Sequence, residues 1–134
     1  MEANLRTIRI VWIALLVAAF VYAWLPEQLG VQPKHLDSTF LTVFVILLIA
    51  MPATIVIMRK LTIAKAEPMI RSNPNDAAAL LKWRAGQIVT VAMLEGIVLY
   101  GLVLRFVGAT RTQAAPFYVV GIAGMIIFWP KPVS

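Results

Sequence analysis

Hydrophobic and polar positions in this chain are segregated into blocks. Four apolar runs, at about residues 8–25, 40–58, 86–107 and 114–129, are separated by short polar connections, the longest covering 59–85. No charge interrupts 10–25, and the twenty residues 88–107 carry only Glu95 and Arg105. At about 1.5 Å per residue, twenty helical residues span roughly 30 Å, the thickness of a bilayer hydrocarbon core. The pattern predicts an all-α, polytopic membrane protein with four transmembrane helices in a single domain, 1–134. A positive flank with Val21 and Ala23 loosely fits a secretory cleavage site, but the run is long and Trp24 and Pro26 follow directly, so 8–25 is read as a retained helix.

Punctuation between the runs supports these bounds. Pro26, Gly30 and Pro33 stop the first helix, and Asn75 or Asp76 is placed to cap a long helix that continues into the third run. Pro116 is read as a first-turn residue of the fourth run, and Pro52 as a kink inside the second. Trp12 near one end of the first run, with Tyr22 and Trp24 near the other, fits the aromatic belts of a membrane interface.

An internal repeat organises the runs. Shifting the chain by 78 positions superimposes Tyr22 on Tyr100, Gly30 on Gly108 and Pro52 on Pro130, together with Arg6 on Arg84 and several aliphatic pairs. The spans are therefore expected to form two parallel-repeat hairpins about a pseudo-twofold axis along the membrane normal. Val17 occupies the position equivalent to Glu95, so the acid belongs to one copy only.

Composition narrows the function. Hydrophobic residues make up 61% and charged residues 13% of the chain, and the mean hydropathy is +0.87, far from the makeup of a soluble domain. Without cysteine there is no thiol nucleophile or thiolate metal site, and the lone His35 supplies no metal centre. No nucleophile with its base, acid pair or phosphate loop is apparent, so neither an enzyme nor a cofactor is expected. The net charge of +6 is attributed to headgroups and not to nucleic acid, because the cations stand at span ends. Arg59, Lys60, Lys65, Arg71, Lys82 and Arg84 form the main lipid headgroup or partner contact. Nine lysines and arginines fall on the side of the termini and three (Lys34, Arg105, Arg111) on the other, which puts both termini in the cytoplasm of a bacterial-type inner membrane.

Glu95 is the main chemical feature. A charged carboxylate at mid-membrane costs about 3 kcal/mol or more, so the group needs a partner, water or a bound proton. No cation lies within one helical turn, and Arg105 is expected to extend to the outer interface, which leaves Glu95 protonated. Its hydrogen-bond partners are sought among carbonyls freed by Pro52 and the hydroxyls of Thr42, Thr54, Tyr22 and Tyr118. Gly96 and Gly101 allow close approach of another backbone, and Gly121 and Gly124 predict a tight contact with a neighbouring helix, in this chain or another subunit.

The stretch AMLEGIVLYGLVLRFVG, residues 92–108, resembles the carboxylate helix of rotary ATPase proteolipids, the c-type ring subunits. The resemblance implies an ion-binding Glu95, with Tyr100 in the following turn and Gly101 at a ring-packing position. The preceding run departs from that family: it lacks the alternating glycines and has Pro52 instead. Three functions are therefore carried forward. The first is a non-catalytic accessory or assembly subunit, bound to other membrane subunits or to copies of itself, with a buried, protonated Glu95. The second is a proteolipid-like proton or cation carrier. The third is a ligand-binding bundle whose pocket is lined by Trp12, Tyr22, Tyr100 and Tyr118.

Overall fold

The computed structural model describes residues 1–133. These contain five helices and no strand: α1 Glu2–Gln28, α2 Ser38–Leu61, α3 Ile63–Ser72, α4 Ala77–Val107 and α5 Arg111–Ile127. Three helical stretches, Glu2–Gln28, Ser38–Ser72 and Ala77–Val107, are long and apolar enough to cross a membrane. α5 has 17 residues and spans about 25 Å, less than a hydrocarbon core.

Local chemistry sets the helix ends. Asp37 caps α2 by accepting from the Thr39 amide at 2.8 Å, and Asp76 caps α4 by accepting from the Ala79 amide at 3.1 Å. α4 ends at Gly108, whose φ of 115° is left-handed. A Cβ there would lie 2.7 Å from the Lys34 side chain, while the Lys34 amide donates to the Gly108 carbonyl at 2.7 Å. α5 begins earlier than expected. Thr110 and Gln113 form a reciprocal capping box, so Arg111 is the first helical residue and Pro116 lies inside the helix, not in its first turn.

The connection 59–85 is also more ordered than its polarity suggests. α3 turns Ile63, Ala66 and Ile70 onto α4 at spacings of three and four, and leaves Lys65 and Arg71 exposed. The corner between α2 and α3 fits because Gly86 has no side chain; a Cβ there would lie 2.7 Å from Ile63.

α4 is the central helix and packs against all four others. α5 also touches α1 and, over a smaller area, α2. α1 and α2 nowhere approach within 8 Å between Cα atoms, so the first pair is not the closed hairpin expected from the repeat. The cause lies at small residues. Gly121 would place a Cβ 3.0 Å from the Leu94 carbonyl, and Gly101 one at 2.8 Å from the Tyr118 ring, so α4 and α5 close only because these positions are bare. The 78-residue offset puts Val43 and Ile46 where Gly121 and Gly124 stand, and both are exposed, at 50% and 59%. Going around α4, the order is α1, α5, α2 and then an open strip.

The ends of the bundle define direction. Arg9 Nε donates to the Pro130 carbonyl at 3.1 Å and Trp12 Nε1 to the Met125 carbonyl at 2.7 Å. The two ends of the described chain therefore lie together, and α1 runs parallel to α4. Trp12 is fully buried in this contact, not at an interfacial belt: its N–H has a carbonyl to satisfy it inside the bundle. Trp24 remains exposed.

Candidate functional site

Glu95 lies at the flank of the open strip. Ile88, Ala92, Leu99 and Val103 are separated by four, seven and four residues, share one side of α4, and are all exposed. Glu95 stands between Ala92 and Leu99 on the edge of that side and is only 7% exposed. Neither of its carboxylate oxygens has a hydrogen-bond partner. Arg105 pairs elsewhere, and two of the hydroxyls considered for Glu95 are bonded to the backbone of their own helix: Thr42 donates to the Ser38 carbonyl at 2.7 Å and Thr54 to the Ala50 carbonyl at 2.9 Å. The Tyr118 hydroxyl is likewise buried without a partner.

Tyr100 does not join Glu95. Five residues turn an α-helix by about 140°, which carries the ring to another side, where it meets Phe44 edge-on at 5.9 Å. Two of the four rings of the expected aromatic pocket are engaged elsewhere: Trp12 donates to the Met125 carbonyl and Tyr100 meets Phe44. Gly101, Gly121 and Gly124 all serve the α4–α5 contact within the chain. Gly96 is different: a Cβ there would meet only the end of Met51, at an ordinary 3.8 Å, so it is not a close-packing position. Pro52 lies within α2, half-buried.

A charge cluster absent from the sequence reading occupies the end of the bundle opposite the termini. Arg105 is 3% exposed and does not extend to an interface. Its guanidinium donates to the Ala109 carbonyl at 2.7 Å, to Glu27 Oε1 at 2.9 Å and to the Val31 carbonyl at 3.4 Å. Arg111 pairs with the other oxygen of Glu27. These partners hold the charge of Arg105 inside, since a buried guanidinium needs both a counter-charge and hydrogen bonds. The signal was present in the sequence: Glu27 and Arg105 are 78 residues apart, the offset of the repeat.

At the other end Arg59 folds inward. Its guanidinium donates to Thr90 at 3.2 Å and Gln87 at 3.5 Å, and stacks 4.5 Å from the centre of the Phe128 ring. Arg59 is thus half-buried and satisfied by protein groups, unlike a headgroup contact. Lys60, Lys65, Arg71, Lys82 and Arg84 are exposed, as that role requires. No known protein family, curated protein or solved structure matches the chain.

Proposed function

We propose that this is a multi-pass membrane protein that acts as a non-catalytic assembly subunit, with a helix of another membrane subunit covering the strip of α4 between α1 and α2. The observation that carries this reading is Glu95, nearly buried at mid-helix, unpartnered within the chain and adjoining an uncovered apolar side. In hydrocarbon an unsatisfied polar group costs several kcal/mol, which a hydrogen bond from a neighbouring helix removes. Glu95 is protonated in the assembly and, turning from its enclosed position toward the strip that it adjoins, donates to a carbonyl or side-chain oxygen of that helix.

In this proposal α5 is the fourth crossing, sheltered by α1 and α4, and the bilayer thins around it. Both termini are cytoplasmic in a bacterial-type inner membrane, and the exposed lysines and arginines of 60–84 lie on anionic headgroups. The two halves descend from one helix pair. In support, α1 and α4 pack parallel, and Glu27 meets its own repeat equivalent, Arg105, as residues beside a twofold axis do.

The test is purification of the full chain through a tag in mild detergent, with the mass and companions of the complex determined. The expected result is one or two copies with larger, unrelated membrane subunits. Glu95→Leu should lower recovery of those companions severalfold, while Glu95→Gln, which keeps a donor, retains them. A homo-oligomer of many copies whose proton movement is lost in Glu95→Gln would overturn this in favour of the carrier that the 92–108 resemblance implies.

A further inference from the structure

We infer that the Glu27–Arg105–Arg111 cluster is a seat for a phosphate group carried by a membrane lipid. Two cavities meet at these three residues. One, of about 480 Å³, opens among Pro26, Gly30, Pro33, Thr110 and Thr112. The other, of about 360 Å³, runs along α1 and α5 past Ala23, Ala115 and Tyr118. The first is lined about equally by polar and apolar groups and lies where the α1–α2 and α4–α5 connections converge. The second is an open, largely apolar groove, where the small side chains of Ala23 and Ala115 leave room.

Charge selects the ligand. Two guanidiniums share one carboxylate, which leaves one positive charge uncompensated between the cavities. Arg105 lines both; its Nε is buried and has no partner, while its other donors are spent on Glu27, Val31 and Ala109. Arg111 is 80% exposed in its side chain, so only part of its fork is held by Glu27. The first-turn amides of α5 at Arg111 and Thr112 have no carbonyl to meet within the helix, and both residues line the first cavity at the positive end of a 17-residue helix. Together these are donors for an oxyanion.

A headgroup phosphate has its acyl chains attached, and the second cavity offers them a path beside Ala115 along the apolar surface between α1 and α5. Free phosphate has the same chemistry without the tail. The proposal rests on the chain being in a membrane but not on its assembly with other subunits, so failure to recover companions leaves it standing.

The test uses the purified full chain in detergent, with dioleoyl phosphatidylglycerol and inorganic phosphate as separate probes. The readouts are the thermal unfolding midpoint and the lipid retained by the intact protein in mass spectrometry. Both variants alter exposed residues, so the fold is kept. Arg111→Gln should weaken phosphatidylglycerol retention by about tenfold, the loss of a charge-assisted contact. Ala115→Leu, which fills the second cavity, should weaken lipid retention and leave any phosphate-induced rise in midpoint unchanged. If Arg111→Gln abolishes a phosphate effect while Ala115→Leu leaves lipid untouched, the lipid assignment is overturned and the ligand is free phosphate. Retention of phosphatidylglycerol at wild-type strength in both variants overturns the site altogether.

Discussion

Arg105 and Arg111 share Glu27, yet the cost of removing each differs because one is buried and the other is in solvent. Arg111→Gln loses an exposed ion pair and should lower stability in detergent by no more than about 1 kcal/mol. Glu27→Gln leaves the guanidinium of Arg105 charged in a buried site and should cost about 3 kcal/mol, at the lower end for a broken buried pair because Glu27 is itself 29% exposed. Equal losses from the two variants, measured by chemical denaturation, would show that burial does not set the strength of this cluster. At this scale the sequence revealed identity better than partnership. Glu95 stands out as an acid within an apolar run, whereas Glu27 looks like one polar residue in a connection. Its importance depends on how α1 lies against α4, and only the repeat offset hinted at that. Trp12 was misread for the same reason: its Met125 carbonyl is more than a hundred residues away.

Among the elements, the glycines decide which helices meet. Gly121→Val would push a side chain against the Leu94 carbonyl, so it should separate α4 from α5 and abolish cooperative unfolding. Gly96→Ala meets nothing closer than 3.8 Å and removes a helix glycine, so it should stabilise by about 0.5–1 kcal/mol. Circular dichroism melts of the two variants check both signs, and a destabilised Gly96→Ala would contradict the packing described here. Helix positions were legible because hydrophobic runs and caps are local: Asp76 begins α4 as its position before an alanine-rich stretch indicated. Two local signals were overlooked. Thr110 and Gln113 have capping-box spacing, and Ile63, Ala66 and Ile70 make α3 amphipathic within a stretch whose average polarity hides them. Gly96 and Gly121 could not be separated in the sequence, since tightness depends on what lies opposite.

For the whole molecule, the contacts at each end give a sidedness that can be measured. Because the chain has no cysteine, single cysteines report without background. Glu2→Cys and Lys131→Cys should react with an impermeant maleimide from one side of sealed vesicles, and Gln32→Cys from the other. Labelling of Gln32→Cys and Lys131→Cys from the same side would show that α5 does not cross. Three of the four expected spans are long and apolar enough to cross a membrane, while α5, at 17 residues, is shorter than such a span; the order of the helices around α4 was not readable. Hydrophobicity alone does not say which apolar helix touches which, and α2, with Ile55 its only buried residue, illustrates how little a span need contribute to the interior.

On the proposed descent of the two halves from one helix pair, the pairing of Glu27 with Arg105 also bears on how two copies become one chain. In a symmetric dimer of identical pairs, the residue beside the axis faces itself, so this contact would set two glutamates or two arginines against each other. With opposite charges at the two equivalent positions, each half repels its own kind and attracts the other. On that descent the cluster does more than fasten α1 to α4: it keeps the halves unlike, and ties correct assembly to their being linked in one polypeptide.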